Sequence, residues 1–447
     1  MSFPRYPQYK DSGVEWLGEV PAHWGIDRLK ASIISSKNGI WGDDAKGDEN
    51  DIPCVRVADF DRQKLRAVLM EPTIRNVTSR EREGRSLKKG DLLLEKSGGG
   101  ENQPVGCVVL YDDERPAVCS NFVARVQLAP GMVSSFWRYV HAAAYAVRLT
   151  TGSINQTSGI QNLDQDRYFN ERAAFPTPEE QTAIATFLDR ETAKIDALVT
   201  EQEKLIALLQ EKRQALISQA VTKGLDPNVQ MRDSGVEWLG EVPEHWEIRR
   251  VRALSSFLTS GPRGWSERVG EVGAKFIQSG DLTGDLSISF DDAKRVAVND
   301  DAEAARTKLA DGDVVVCITG AKTGNVAVCG AVPEDAYVNQ HLCLIRPRPD
   351  ILSDLLAIYL KSDSGQRYFA VAQYGLKQGM SLENIKEAPV PVPPVNEQRQ
   401  IVDVARDASR SIGALVNEAR TAISLLHERR TALISAAVTG QIDVRRA

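Results

Sequence analysis

The sequence predicts an α+β protein: two mixed α/β heads separated by two long antiparallel helices forming a coiled coil, with a circular, pseudo-two-fold internal repeat. Three observations carry this. Residues 11–24, DSGVEWLGEVPAHW, recur at 233–246 as DSGVEWLGEVPEHW, and a repeat of that length sets the whole architecture. Each head-sized segment is followed by apolar residues spaced by three and four, the period of a helix seam. Between leader and helix lie short apolar runs punctuated by Gly, Asp and Pro, the pattern of short strands.

The resulting boundaries are a leader with a first head at 1–177, a helical spacer at 178–224, a second head at 225–393 and a second helical spacer at 394–447. Within the heads, PCVRVADF, VGCVVLYD and VARVQLAP in the first and KFIQSGDL, GNVAVCGAV and CLIRPRP in the second read as strands. Helical stretches are expected at 134–149 and 353–370. The register of the leader carries Gly90-Asp91 onto Gly312-Asp313, each followed by a buried-strand run, LLLEKSG and VVVCITG. Between 37–89 and 259–311 an ungapped comparison keeps only six identities, at Gly39, Gly42, Glu49, Asp59, Glu81 and Leu87. The frame recurs and the intervening surface does not, so the two heads are expected to read different things.

Pro-rich boundaries, FPTPEEQ and VPVPPVNEQ, precede the helices. Proline is tolerated at a helix start and not inside it. The expected seam of the first helix runs through Leu188, Glu191, Ile195, Leu198, Gln202, Leu205, Leu209, Lys212 and Leu216. That of the second runs through Ala405, Ala408, Ile412, Leu415, Ala419, Ala422, Leu426, Arg429 and Leu433. From Glu179 to Ala220 the first would span roughly 63 Å. RQALISQAVTKGLD at 213–226 and RTALISAAVTGQID at 430–443 close the two copies. Because a leader follows the first helix in sequence, the N-terminal leader is expected to follow the second helix in space, bringing Met1 near Ala447.

Composition bounds the function. At 42% apolar and 26% charged over 447 residues the chain has ordinary globular composition, and no apolar run reaches the ~20 residues of a membrane helix. The polar start MSFPRYPQYK has no signal-peptide pattern, so a cytoplasmic location without membrane attachment is expected. Six cysteines include no CxxC pair, which points to buried thiols. The formal charge is −6, with Lys and Arg equal to Asp and Glu at 23 each over 1–177 and 18 against 24 over 225–393. No segment has the basic excess of a self-sufficient nucleic-acid binder.

Catalytic constellations are missing by motif. No Gly precedes Lys, so there is no GxxxxGK[ST] phosphate loop; the GxG of SGGGEN lacks its third glycine; HExxH and GxSxG do not occur,. His23 and His245 sit in the recurring leader and read as structural. The acidic runs at 42–51 and 289–295 read as solvated loops. No catalytic residue, metal ligand or cofactor site is expected in the chain.

The leaders, GDLLLEKSG and GDVVVCITG, the helix starts PTPEEQ and PPVNEQ, and the ALISxAVT helix ends together resemble the specificity (S) subunits of type I restriction-modification systems over essentially the whole chain. The resemblance implies two target-recognition domains, each reading one half of a split, asymmetric double-stranded DNA site. It implies helices that dock two methyltransferase (modification) subunits and set the half-site gap. S-adenosylmethionine, ATP and Mg would belong to partner subunits, two restriction/translocase subunits among them, leaving this subunit non-catalytic. Phosphate gripping, the salt-dependent part of binding, can then come from partners around a nearly neutral reader. Candidate base readers are exposed loop residues whose donors and acceptors suit base edges: Lys37, Asn38, Trp41, Lys96, Asn102, Gln103, Asn155 and Gln156 in the first head, and Arg263, Trp265, Lys322, Asn325, Lys377, Gln378 and Ser381 in the second. Ordinary polar loops are the plainer account of the same residues. Glu180, Gln181, Arg213, Glu397, Gln398 and Arg430 are candidates for the methyltransferase interface, with helix capping and seam packing as the alternative. Two rival readings stay open: a coiled-coil protein-binding adaptor without DNA readout, and a free-standing enzyme with an unrecognised site.

Overall fold

The runs that follow the recurring Gly-Asp become Leu92–Glu95 and Val314–Cys317, each buried along its whole length and each flanked by two antiparallel strands. Unbroken Leu and Val runs bury both faces of a strand, which is why alternation is absent. The computed structural model describes residues 3–157, 159–373 and 379–446. The chain divides into two units, residues 1–202 with 421–447, and residues 203–420.

In the first unit a six-stranded sheet runs Ile33–Asn38, Val123–Leu128, Leu92–Glu95, Val108–Leu110, Arg66–Ala67, Phe60–Asp61. A second sheet places Asp51–Val55 parallel to Val118–Cys119, with Thr73–Asn76 and Asp43–Asp44 beyond. In the second unit the order Ser255–Ser260, Leu342–Pro347, Val314–Cys317, Val326–Val328 repeats the first four places, and Ala274–Ile277 pairs in parallel with Ala336–Val338. The expected strand runs all lie in these sheets. Both helical stretches form, but the second breaks into Ser353–Lys361 and Asp363–Ala372. Ser362 causes the break: its hydroxyl bonds the Tyr359 carbonyl at 2.6 Å and caps the following helix, the local bonding by which Ser favours caps over helix interiors.

The Gly-Asp turn has one construction in both units. Gly90 and Gly312 take left-handed φ of 94° and 81°, cheap only for glycine. The aspartate after each accepts the backbone N–H three residues earlier, Lys88 and Ala310. It also pairs with an arginine on the next strand, Arg125 with Asp91 at 2.6 Å and Arg346 with Asp313 at 2.8 Å.

Two long helices, Pro178–Lys223 and Val395–Val438, contribute to the cores unit by unit. In the first unit Ile184, Leu188, Ile195 and Val199 share a cluster with Leu433, Ile434, Ala437 and Val438; in the second, Ala220 and Val221 share one with Ile401, Val402 and Ala405. Each fully buried Leu, Ile or Val contributes about 1.5–3 kcal/mol, so these helices are held by their apolar faces. The expected seam needs a correction in register. Leu198, Leu205, Leu216 and Leu415 are 42–50% exposed, while their neighbours Val199 and Val416 are buried and Ile206 and Ile217 are half-buried. Likewise Arg430 is buried where Arg429 is exposed. A helix advancing 3.6 residues per turn drifts against a strict 3.5 repeat, and the adjacent apolar pairs let the stripe shift by one.

The N-terminal leader packs against the end of the second long helix. The Tyr9 hydroxyl donates to the Gly440 carbonyl at 2.9 Å, Asp443 N–H to the Pro4 carbonyl at 2.8 Å, and the Gln441 amide to the Glu19 carbonyl at 2.9 Å. Met1 and Ala447 themselves lie outside the described residues. Trp24 and Trp246 are core, each 1% exposed.

Candidate nucleic-acid interface

The loops that differ most between the heads leave from one end of each main sheet. In the first head the register pairs Asn38 with Ala124 and Glu95 with Val123, so the segments beginning at Gly39, Lys96 and Ser120 emerge side by side. Gly39 N–H donates to the Val123 carbonyl, Lys96 N–H to the Phe122 carbonyl and Ile40 N–H to the Cys119 carbonyl, at 2.7–2.9 Å. A Cβ on Gly39 would overlap the Cys119 and Ser120 carbonyl oxygens. Gly261 has the same relation to Val338 and Asn339, with Gly261 N–H on Leu342 and Ile318 N–H on the His341 carbonyl. One of the six retained identities, Gly39 with its counterpart Gly261, is thus the glycine that lets three loops converge.

Trp41 is half-exposed over this convergence and lines, with Arg56, Val57, Ala58, Ser120, Asn121 and Phe122, a cleft of about 460 Å³. The Arg75 guanidinium lies 4.5 Å from the Trp41 ring centroid, and its Nε donates to the Trp41 carbonyl. A small three-stranded sheet, Ser97–Gly98, Ile160–Leu163 and Ile154–Thr157, adds Asn155 opposite Asn162 and Gln156 opposite Gln161. It thereby joins the Lys96 loop, across the strand Ile160–Leu163, to Asn155 and Gln156, both exposed, as are Lys37, Asn38, Asn102 and Gln103. Asn38 is already bonded through its Oδ1 to the Gln165 amide at 3.0 Å.

In the second head, Arg263 and Lys322 are exposed near the equivalent end. Trp265 corrects the expectation: it is 1% exposed, packed against Phe276 and Tyr337 at 6.2 and 5.6 Å between ring centroids, and so is core. Asn325 is half-buried with both ends of its amide engaged, Nδ2 on the Leu282 carbonyl and Oδ1 accepting from Lys361. Ser381 caps the helix Leu382–Glu387 through Asn384. Both are scaffold rather than reader. Lys377 and Gln378 lie outside the described residues. Asn121 and Phe122, and in the second head Gln340 and His341, also stand at these loop ends, and the sequence reading did not single them out. Their only signal was a polar break between two apolar runs, CSNFVARV and VNQHLCLI.

Residues 243–419 match the family described as Type I restriction modification DNA specificity domain. The chain is 24% identical over 306 residues to the type I restriction enzyme EcoKI specificity subunit of Escherichia coli strain K12, covering 66% of this chain and 62% of that one. It is 21% identical over 394 residues to the EcoBI specificity subunit of Escherichia coli, covering 86% and 80%. The chain is thus similar to type I restriction-modification specificity subunits, and carries their specificity domain over residues 243–419. Its fold is that of the HsdS subunit from Thermoanaerobacter tengcongensis, with a TM-score of 0.54 at 15% identity over 94% of this chain and 98% of that one. A chain solved in work on complex assembly and conformational transition of the type I R-M system gives 0.67 at 18% identity, again over 94% and 98%.

At the starts of the two long helices, the recurring Glu-Gln is a joint. Glu180 accepts from His23 at 3.0 Å, and Glu397 from His245 and Trp246 at 2.9 and 3.1 Å. Gln181 accepts from Val133 N–H and donates to the Pro176 carbonyl; Gln398 accepts from Leu352 N–H and donates to the Asp350 and Pro393 carbonyls. Gln181 and Gln398 are fully buried, so each satisfies loop backbone that would otherwise be costly to bury. Arg430 is buried too, 3.4 Å from Asp196 and bonded to the Gln63 carbonyl. Of the proposed interface set, Arg213 is half-buried and Glu397 retains partial exposure.

All six cysteines are buried and unpaired with one another. Burial pushes the thiols up, Cys54 to about 11 and Cys107, Cys119 and Cys329 to about 12, far from the thiolate a nucleophile needs. Among the described residues no cluster of His, Cys, Asp and Glu could hold a metal ion, and no helix is long and apolar enough to cross a membrane.

Proposed function

We propose that this chain is the non-catalytic sequence-specificity subunit of a type I restriction-modification complex, in which each head reads one half of a bipartite, asymmetric site on double-stranded DNA. The observation that carries this is the convergence, in both heads, of the loops of least similar sequence at the same end of the same sheet frame. Base readout needs a few correctly placed donors, acceptors and apolar groups on a rigid support. The exposed Lys37, Asn155 and Gln156 and the half-buried Lys96 in the first head, and the exposed Arg263 and Lys322 in the second, suit that task.

The long helices set the half-site gap and dock two methyltransferase subunits, with S-adenosylmethionine, ATP and Mg supplied to those subunits and to two restriction subunits. A helix of 46 residues extends about 69 Å at 1.5 Å per residue, enough for half-sites one or two turns apart at ~34 Å per turn. An antiparallel, coiled-coil pairing of the helices and a circular pseudo-two-fold repeat agree with two parallel sets of contacts. Gly224 ends one helix against Pro243 and Trp246; Gly440 follows the other against Pro21 and Trp24.

The test is a base-resolved methylation map of DNA from cells making this chain with its cognate methyltransferase subunit, against cells making the methyltransferase alone. A split motif that requires this chain is expected. A stable complex with no motif would favour the adaptor reading, and turnover by the isolated chain would favour an enzyme.

A further inference from the structure

The same place in the shared frame carries opposite chemistry in the two heads. Hydrogen bonds fix the correspondence: Ser120 N–H donates to the Val55 carbonyl as Asn339 N–H does to Ile277, and Lys96 reaches the Phe122 carbonyl as Ile318 reaches that of His341, both at 2.9 Å. Phe122 therefore stands where His341 stands. Gly39 and Gly261, bonded to Val123 and Leu342, likewise register Trp41 with Arg263. One head presents two aromatic rings at this spot, the other a guanidinium and an imidazole.

The aromatic pair is left uncovered by its own chain, Trp41 being 39% and Phe122 49% exposed. Exposed aromatics gathered around a cleft, beside charged groups, mark a surface that another molecule covers. The Trp41 ring is held ready, since Arg75 stacks on it and bonds the Trp41 and Gly42 carbonyls at 3.0 Å. Lys37 and Lys96 flank the convergence, which suits a polyanion, and the exposed Asn121 offers an amide beside the Phe122 ring. In the DNA major groove one base pair offers an apolar methyl next to an adenine edge that an Asn amide can bond: A·T.

Resting on the reading of the heads as half-site readers, we propose that the Trp41–Phe122 cleft of the first head receives the 5-methyl group of a thymine, with Asn121 meeting the adenine of the same pair. These residues set one base of the first half-site. The second head, with Arg263 and His341 there, has no such methyl requirement at its equivalent position.

The experiment uses the complex of the full chain with its methyltransferase subunit and a duplex bearing the methylated motif, with each thymine replaced in turn by uracil. The half-site belonging to the first head is identified by exchanging the heads. One uracil in that half should weaken binding about fourfold, the worth of one methyl-sized group. The penalty should vanish in Phe122→Ala and persist in Arg263→Ala. Retention of the second half of the motif by Phe122→Ala shows that the variant is folded. A first half-site without an A·T pair, no uracil penalty within it, or a penalty that survives Phe122→Ala would overturn the assignment. Absence of any split motif with the unaltered chain would instead overturn the half-site reading on which it rests.

Discussion

The first and second heads share a backbone frame yet differ in how tightly they seal it. Asp91 and Arg125 are both nearly inaccessible, with side chains 6% and 9% exposed, whereas Asp313 is buried at 1% and its partner Arg346 is 41% exposed. The turn, the glycine and the acid recur, and the surroundings of the base do not. The comparison teaches that what recurs is the backbone hydrogen bonding of the Gly-Asp turn, while the solvent around it is set by each head's own loops.

Removing the acid should separate the two heads most. Asp91→Ala leaves a buried guanidinium without its charge partner, a loss of about 3–5 kcal/mol. Asp313→Ala leaves an arginine that water can reach, and costs about 1–2 kcal/mol for the lost hydrogen bonds. Hydrogen exchange of the strands Leu92–Glu95 and Val314–Cys317 in each variant measures this locally; equal losses would break the contrast.

Acid should act on the first unit next. His141 is fully enclosed, its ring bonded to the Tyr168 hydroxyl at 2.8 Å, and burial lowers its pKa from 6.5 to about 4. Between those values the unfolded chain binds a proton that the folded chain refuses. Stability therefore falls as pH drops from about 6.5, by about 3 kcal/mol once pH 4 is reached. His141→Leu should remove that slope, whatever it does to stability at neutral pH. An unchanged pH profile of exchange in the first unit would contradict this origin.

A smaller loss is expected from Gly39→Ala, where the new methyl meets backbone carbonyls and the loops must shift by about 1–3 kcal/mol of strain. Its clearer signature is selective: the first half of the methylation motif should blur while the second stays sharp, and Gly261→Ala should do the reverse. The smallest effect belongs to Trp265→Phe, about 1 kcal/mol of lost packing with the motif unchanged. A changed motif would return Trp265 to the reading surface.

Much of the frame was legible because it is written twice: the leader, the Gly-Asp turn and the Glu-Gln helix starts each map to a defined hydrogen-bonded joint. The seam was legible as a stripe but not in register. At Leu198-Val199, Leu205-Ile206 and Leu216-Ile217 two adjacent apolar residues compete, and only packing chooses between them. The reading surface was the least legible part. Expecting polar and aromatic loop side chains found Lys37, Asn155 and Gln156 at exposed positions and Lys96 half-buried, but it also drew in Trp265, which fills a core, and Asn325 and Ser381, whose polar groups hold the second head's own backbone. It passed over Asn121 and Phe122, because a short polar break between strands gives no sign in sequence that neighbouring loops converge on it.

The most direct measurement is the methylation map directed by a chain in which residues 25–175 are replaced by residues 247–392, joining at the outermost paired strands of each head. Two copies of one reader should convert the split asymmetric motif into one whose two halves are the same, both being those of the second head. An unchanged asymmetric motif would contradict the claim that each head reads one half.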